Sequence, residues 1–428
     1  MEDGFVIERA RLLTLAPHSD CLSAPRRGAH ASEVGPIEWG YVEVDAGGRV
    51  ASLGAGDWRG DAARVRIDAH GRVVLPGWVD CHTHACFAGS RLDEWERKQH
   101  GATYLEILAS GGGIMSTVRA VRAASRDELA HTLADRLRGM AALGAVAVEV
   151  KTGYGLDLET ELRMIDAIYA AAARAGVRVR PTFLGGHAID PDAPQLADEM
   201  IDHGLEELAR RHPGMCVDAF CEVGSWSLDQ CVRYFERAGQ LGLPIRVHAD
   251  QFHELGMTQE AIRLGALSVD HLEATSPDTL MALAESATMG VALPATAFSL
   301  GTPQMNARAF IDAGGAFALA SNFNPGSAPS PSLAFSISLA VRFLGLSIHE
   351  AITAATWNAA CLLGIADEAG CIAVGRHAWL QMIPHTDERA LGVEFAGAPP
   401  DLVLGPGGAS GADGHLVRTV ARALANRL

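Results

Sequence analysis

The sequence predicts an α/β fold, a (β/α)8 TIM-type barrel with a small β-sandwich-like domain built from both chain termini. Eight apolar runs of strand length alternate with helix-period segments, at 72–80, 145–151, 177–185, 216–224, 244–250, 266–273, 289–296 and 316–323. Near-continuous hydrophobic strands with helical crossovers are typical of a parallel sheet covered on both faces. Eight such units are what a closed barrel requires, although a doubly wound open sheet shows the same alternation.

The two ends of the chain have a different pattern. Short β-like pieces separated by Gly and Pro turns fill residues 1–70, and strand character returns at 371–383. We therefore predict three segments: 1–72 and 366–428 as the two parts of the small β domain, and 73–365 as the barrel inserted between them.

Composition predicts a globular cytoplasmic protein. Of 428 residues 48% are hydrophobic, the net charge is −16, and the eight cysteines include no C-x-x-C pair. This balance argues against a nucleic-acid or anionic-membrane partner, and scattered cysteines are typical of a reducing compartment. The acidic start MEDGFVIERA lacks the features of a signal peptide, and no run approaches the roughly 20 apolar residues that span a bilayer.

Histidines collect where the predicted strands end. Reactive groups of a barrel lie at the C-terminal ends of its strands. Five of the 17 histidines occupy such positions, namely His82, His84, His187, His248 and His271.

The H-x-H pair that ends the first strand indicates a metal site. Residues two apart on a strand point to the same side, so His82 and His84 can both face the barrel mouth. Neutral imidazoles bind divalent metals at about 2.0–2.1 Å. An isolated H-x-H pair is more often solvated or packed in a core, but His248 at another strand end makes a shared cation the better interpretation.

Several segments resemble one family. The first strand end, LPGWVDCHTHACFAGSR, resembles the metal-dependent amidohydrolase superfamily. Further segments narrow the resemblance to the imidazolonepropionase family within it: GATYLEILASGGGIMSTV (101–118), EVKTGYGLDLETELRM (149–164), FLGGHA (183–188), IRVHADQF (245–252), SVDHLEATS (268–276) and NFNPGSAPSPS (322–332).

This resemblance implies a barrel, one divalent metal ion (zinc or iron), and hydrolysis of 4-imidazolone-5-propanoate to N-formimidoyl-L-glutamate. A homodimer is a further expectation from the family. The implied metal ligands are His82, His84, His248 and the residue at position 322. The implied substrate contacts are Arg91, Tyr104, Tyr154, His187, Gln251, Asn324, Gly326 and Ser327. His271 would stand beside the attacking water, and the implied catalytic residues are His271, Gln251 and Asn322.

The residue types suit this chemistry. Opening a cyclic amide requires a polarised carbonyl and a hydroxide near neutral pH, which a divalent metal supplies. The planar fork of Arg91 matches a propanoate carboxylate, although an ordinary surface ion pair is the alternative. Tyr104 and Tyr154 are equally compatible with packing, and His271 with a hydrogen-bonded residue of the rim. Gly111–Gly113 lack the G-K-[ST] ending of a phosphate loop, so we interpret them as part of a flexible loop that covers the substrate.

Asn322 stands where the resemblance leads us to expect an aspartate. Its amide oxygen can coordinate a metal but carries no charge and accepts no proton at neutral pH. Three explanations remain open: His271 serves as the base, the protein is an engineered variant, or it is a divergent relative. In the last case it is an amidohydrolase or deaminase for another small cyclic amide or N-heterocycle, or a weakly active metal-binding barrel.

Overall fold

The structure is a computed structural model that describes residues 4–16, 23–101, 112–395 and 397–406. The predicted substrate contact Tyr104, Gly111 of the glycine triplet and the tail from 407 lie outside these ranges. Among the described residues, no helix combines the length and the apolar character needed to cross a membrane.

Eight parallel strands form the barrel predicted from the sequence. In chain order they are β6 (Trp78–Asp80), β7 (Ala145–Lys151), β8 (Arg178–Gly186), β9 (Cys216–Cys221), β10 (Arg246–Ala249), β11 (Ser268–His271), β12 (Met289–Ala292) and β13 (Phe317–Leu319). Each strand pairs with its neighbour in sequence.

The barrel closes just beyond the ends of β6 and β13. Thr83 and Phe323 form a parallel bridge there, and the N–H of Asn322 donates to the carbonyl of His82 at 3.0 Å. The N–H of His84 donates to the Phe323 carbonyl at 3.0 Å. The closing seam therefore places the H-x-H segment directly beside Asn322.

Helices connect and cover the strands. They are α1 (Leu92–Gln99), α2 (Ile114–Ala123), α3 (Arg126–Ala142), α4 (Leu158–Ala175), α5 (Leu196–Glu199), α6 (Leu205–Arg211), α7 (Leu228–Gln240), α8 (Met257–Leu264), α9 (Pro277–Glu285), α10 (Pro294–Leu300), α11 (Ala307–Asp312), α12 (Leu333–Phe343), α13 (Ile348–Ala354), α14 (Trp357–Leu362) and α15 (Ala390–Val393). A π-helical turn, Met200–Gly204, links α5 to α6, and Gly28–Ser32 is a 3-10 helix. The capping box predicted at Ser125 and Glu128 is present at the start of α3.

Strands from both termini form the small domain. They are β1 (Phe5–Leu13), β2 (Pro36–Val44), β3 (Val50–Ala55), β4 (Val65–Asp68), β5 (Val73–Pro76), β14 (Leu380–Met382) and β15 (Leu402–Leu404). These seven strands make one sheet in the order β15-β14-β5-β1-β2-β3, with β4 paired to β1. The sheet branches at β1, which pairs with β4 along its first half and with β5 along its second.

The run at 72–80 was predicted as one strand and is two. β5 belongs to the terminal sheet and β6 to the barrel, because the chain crosses between them at Gly77. A Cβ on Gly77 would lie 2.2 Å from the Val146 side chain, so the crossing requires a glycine. Our division of the chain at residues 72 and 365 stays a proposal, and the pairing of β5 favours Gly77 as the first boundary.

Candidate metal centre

Three imidazoles, two from the segment that follows β6 and one from β10, meet at the barrel mouth. Nε2 of His84 lies 3.2 Å from Nε2 of His82 and 3.2 Å from Nε2 of His248. Among the described residues, these three form the one group of His, Cys, Asp or Glu side chains with ligand atoms close enough to hold a metal, all within 4.8 Å of one another. Three nitrogens arranged in this way can converge on one cation.

Carboxylates orient two of the three imidazoles. Nδ1 of His82 donates to Asp270 Oδ2 at 2.5 Å, and Nδ1 of His248 donates to Asp218 Oδ1 at 3.1 Å. Because a carboxylate accepts the Nδ1 proton, the lone pair of each ring is on Nε2, the nitrogen that faces the other histidines. These contacts select the tautomer that binds a metal.

Burial keeps the three rings neutral. Desolvation is the main cause that lowers the pKa of His82 and His84 well below the usual value of 6.5. Desolvation also lowers the pKa of His248, although Asp218 opposes that change. Neutral imidazole is the form that coordinates a metal, so the chemical state of the site fits a divalent cation.

A buried ion cluster supports the two orienting carboxylates. Lys151 Nζ lies 2.7 Å from Asp218 and 3.0 Å from Glu149, while Arg246 lies 2.6 Å from Asp270 and 2.7 Å from Glu149. Every one of these side chains is buried. Burial alone would lower the pKa of Lys151, but the nearby carboxylates raise it above its ordinary value, so the lysine stays charged. Breaking a buried pair of this kind costs about 3–5 kcal/mol.

Asn322 presents an amide oxygen at this site. Its Nδ2 donates to Thr296 Oγ1 at 2.8 Å, so the amide orientation is fixed by Thr296. The Oδ1 atom is buried and has no hydrogen-bond partner among the described residues. A buried oxygen without a donor beside three converging imidazoles fits a fourth metal ligand, since an amide oxygen can coordinate a cation. The backbone of Asn322 has φ +52°, a conformation that asparagine tolerates better than most residues.

His271 lies next to the three imidazoles. Its ring centroid is 5.5 Å from that of His248 and 6.2 Å from that of His82. Nδ1 of His271 lies 3.2 Å from Glu273 Oε1, so the carboxylate accepts a proton from Nδ1 and leaves Nε2 to act as an acceptor. His271 therefore presents an unprotonated ring nitrogen close to the three imidazoles.

A cavity of about 750 Å³ opens beside these histidines. It brings together eleven of the thirteen site residues that the sequence predicts, namely His84, Arg91, Tyr154, His187, His248, Gln251, His271, Asn322, Asn324, Gly326 and Ser327. His82 is fully buried next to the cavity, and Tyr104 lies outside the described residues.

Arg91 is part of the cavity wall. Its Nε lies 2.7 Å from Glu94 Oε2, and Glu94 Oε1 accepts the N–H of Gly113 at 3.1 Å. A Cβ on Gly326 would lie 3.1 Å from Arg91, so glycine allows the guanidinium to approach that loop closely. Glu94 therefore fixes the orientation of Arg91.

The contacts of Asn324 are largely internal to its own loop. Its Oδ1 accepts the N–H groups of Gly326 and Ser327 at 2.8 Å, and its Nδ2 donates to the carbonyl of Asn322 at 2.7 Å. These bonds form an Asx-type turn that holds residues 324–327 against the cavity. The structure thus gives Asn324 a role in shaping the cavity wall.

Sequence reasoning missed three side chains that organise the site. Asp218 orients His248, Thr296 orients Asn322, and Glu161 holds the loop after β7. A sequence signal exists for Asp218, since it is a lone carboxylate within the apolar strand CVDAFC. Thr296 and Glu161 have no comparable signal.

Comparison with known proteins agrees with this fold. The amidohydrolase family model matches residues 73–400, and the chain belongs to that family. Two solved structures share the fold: a triazine hydrolase variant (TM-score 0.72, 17% identity, 98% of this chain and 99% of that one) and 5-methylcytosine deaminase from Klebsiella pneumoniae (TM-score 0.69, 16% identity, 94% and 96%).

Curated relatives define the family more narrowly. The imidazolonepropionase of Herpetosiphon aurantiacus is 41% identical over 415 residues, which cover 91% of this chain and 97% of that protein. The imidazolonepropionase of Rubrobacter xylanophilus is 42% identical over 395 residues, covering 90% and 94%. The chain is therefore a member of the imidazolonepropionase family of amidohydrolases, as its motifs predict.

Proposed function

We propose that this protein hydrolyses the cyclic amide of 4-imidazolone-5-propanoate to N-formimidoyl-L-glutamate, a step of histidine degradation. The observation that carries the proposal is the convergence of three neutral imidazoles, within 4.8 Å of one another, at the mouth of a barrel that belongs to the imidazolonepropionase family. A hydrolase acting on the C–N bond of a cyclic amide is the class that this site and family support.

His82, His84 and His248 would hold one divalent ion, with Asn322 Oδ1 as the oxygen ligand. Zinc and iron both accept this donor set, and we propose one of these two metals. Bound there, the ion supplies a water of lowered pKa and a polarised amide carbonyl. Asp270 and Asp218 keep the Nδ1 protons of two ligands in place.

His271 is our candidate for the general base. Glu273 fixes its tautomer, so Nε2 accepts a proton from the attacking water and returns it to the departing ring nitrogen. Gln251 lines the same cavity and would contact the reacting group as a hydrogen-bond donor. Asn322 takes no proton in this scheme because a neutral amide is not a base at neutral pH.

Other residues of the cavity wall would bind the rest of the substrate. Arg91 would pair with the propanoate carboxylate, and its orientation by Glu94 prepares it for that contact. Further contacts are proposed for Tyr104, Tyr154, His187, Asn324, Gly326 and Ser327.

Loss of imidazolone absorbance tests the proposal directly. The assay compares metal-free protein with protein reloaded with zinc or with iron(II). Hydrolysis that depends on one reloaded ion per chain is expected, while metal-loaded protein that leaves the imidazolone intact and opens another cyclic amide or N-heterocycle would identify the divergent enzyme instead. A cytoplasmic location and a homodimer remain predictions from the sequence, to be tested by fractionation and by light scattering.

A further inference from the structure

A buried carboxylate outside the metal centre holds the loop that follows β7. Glu161 lies in the first turn of α4 and is fully buried. Its Oε2 accepts the N–H of Gly153 at 2.7 Å, and its Oε1 accepts the N–H groups of Gly155 and Leu156 at 2.6 and 2.9 Å. Through these three hydrogen bonds Glu161 holds the backbone on both sides of Tyr154.

This loop has a backbone conformation that needs such support. Gly153 has φ +104° and Leu156 has φ +62°. The second value is unfavourable for a residue with a side chain. A Cβ on Gly153 would lie 2.8 Å from Nδ1 of His187, so the loop and that imidazole are in close contact.

The loop in turn determines which proton His187 carries. Nδ1 of His187 lies 2.7 Å from the carbonyl oxygen of Gly153. A carbonyl oxygen only accepts, so the proton must be on Nδ1. With its proton on Nδ1, a neutral imidazole has its lone pair on Nε2, so Nε2 is the acceptor that faces away from the loop.

His187 is part of the cavity wall. Its ring stacks on the ring of His84, with centroids 4.9 Å apart and an interplanar angle of 18°. Tyr154 lies 5.2 Å from it, ring to ring, and all three residues line the cavity. A hydrogen-bond acceptor fixed at this place next to a proposed metal ligand would contact the reacting ring of a bound substrate.

We propose that Glu161 is a positioning residue. It holds the 153–156 loop, and the loop fixes His187 as the Nδ1–H tautomer. Nε2 of His187 then selects substrates that present an N–H donor. Naming the ring N–H of the imidazolone as that donor rests on the proposed function. The tautomer of His187 and its dependence on Glu161 do not rest on the proposed function. An analogue with a methylated ring nitrogen would leave Nε2 without a donor and bind about tenfold or more weakly.

Nitrogen NMR of the zinc-loaded full chain tests the tautomer without any substrate. Protein labelled with ¹⁵N-histidine distinguishes a protonated from an unprotonated ring nitrogen, and the signals that vanish in His187→Gln assign this residue. The glutamine in Glu161→Gln keeps the shape of the side chain but replaces one acceptor oxygen with an N–H₂ group. One of the three backbone N–H groups then faces a donor instead of an acceptor. Glu159→Gln is the matched control, because Glu159 is exposed on the same turn of α4.

We expect the Nδ1–H tautomer of His187 in the native protein and in Glu159→Gln, and a mixture of both tautomers in Glu161→Gln. An unchanged His187 signal in Glu161→Gln, or the Nε2–H tautomer in the native protein, would overturn the proposal. If Glu161→Gln does not fold, Gly153→Ala disturbs the same contact from the loop side with Glu161 intact, and it must change the His187 tautomer as well.

Steady-state kinetics provide the second readout. In Glu161→Gln, KM for the imidazolone should rise at least fivefold while kcat changes less than threefold and bound metal stays at one ion per chain. A fall in kcat with unchanged KM contradicts a binding role for His187. If the native protein does not act on the imidazolone, the proposed function fails, whereas the NMR comparison still decides whether Glu161 fixes His187.

Discussion

Lys151 and His248 each bind one of the two carboxylate oxygens of Asp218. Lys151 Nζ lies 2.7 Å from Asp218 Oδ2, and His248 Nδ1 lies 3.1 Å from Asp218 Oδ1. We call this series of contacts, from Lys151 through Asp218 to His248, the relay. It connects the charged interior of the barrel to a proposed metal ligand. It explains why a lysine is fully buried, since both of its close partners are carboxylates that are also fully buried.

Lys151→Met should weaken metal binding through this relay. Without the ammonium group, Asp218 loses the partner that holds it against His248, and loss of such outer contacts costs about 10–100-fold in metal affinity. The metal-free protein should also lose about 3–5 kcal/mol of unfolding free energy, because uncompensated carboxylates stay buried. Competition with a zinc chelator and denaturant unfolding measure the two effects.

Arg263→Met is the matched control for the removal of a cation. Arg263 pairs with Glu236 and Glu260 on the surface, where an ion pair contributes about 0–1 kcal/mol. Zinc affinity in Lys151→Met equal to that in Arg263→Met would show that the relay does not position the ligand.

Asn322→Asp should raise both metal affinity and turnover. A carboxylate at this position adds a negative charge beside the cation and provides a second proton acceptor. Thr296 can accommodate the change by donating its hydroxyl proton where it now accepts one. We expect kcat to rise at least tenfold. Turnover measured at equal metal content checks this, and an unchanged or lower value would exclude proton transfer at this position.

His271→Gln should abolish most activity without releasing the metal. Loss of a positioned general base costs about 10²–10⁴-fold in rate. The control is His253→Gln, which removes a histidine whose side chain is 58% exposed and paired with Glu222. Turnover and bound metal are measured together. Near-native turnover in His271→Gln would assign the base to another group.

The pH dependence of metal-free unfolding should report the buried imidazoles. Burial lowers the folded-state pKa of His84 well below 6.5, whereas the unfolded chain titrates near that value. The unfolded state therefore binds more protons, and the stability that neutral His84 contributes is complete above pH 6.5 and lost as the pH falls below it. Between pH 7.5 and 5.5 this loss is about 1.4 kcal/mol per buried histidine.

His84→Gln isolates this contribution. The Asp80 carboxyl, whose pKa burial raises to about 7, acts in the opposite direction, but it is present in both proteins and cancels in the comparison. His84→Gln should lose about 1.4 kcal/mol less than the native protein over the same pH interval. His131→Gln, which removes an exposed histidine, should leave the pH dependence unchanged. Identical pH profiles for all three proteins would mean that folding does not lower the pKa of His84.

The sequence could predict the barrel and the histidines because both depend on local periodicity. Apolar runs of strand length define the strands, and a spacing of two residues places His82 and His84 on one side of a strand. Placement at strand ends then brings in His248 and His271, which belong to β10 and β11.

The features of the fold and the site that the sequence could not predict depend on contacts between distant segments. Asp218 meets His248 because β9 and β10 are neighbours in one register, and a pattern of hydrophobic residues does not specify which polar pairs face each other. The separation of β5 from β6 depends on Val146, about 70 residues away from Gly77. Glu161 looks like one more carboxylate in the first turn of a helix, and only the fold shows that the loop turns back onto it.

Metal content and imidazolone hydrolysis, measured on the same sample, test the central claim most directly. Protein stripped with a chelator should lose activity on 4-imidazolone-5-propanoate, regain it in proportion to added zinc or iron(II), and saturate at one ion per chain. His84→Gln should bind the ion at least tenfold more weakly. Full hydrolysis by metal-free protein, or undiminished ion binding by His84→Gln, would contradict the account.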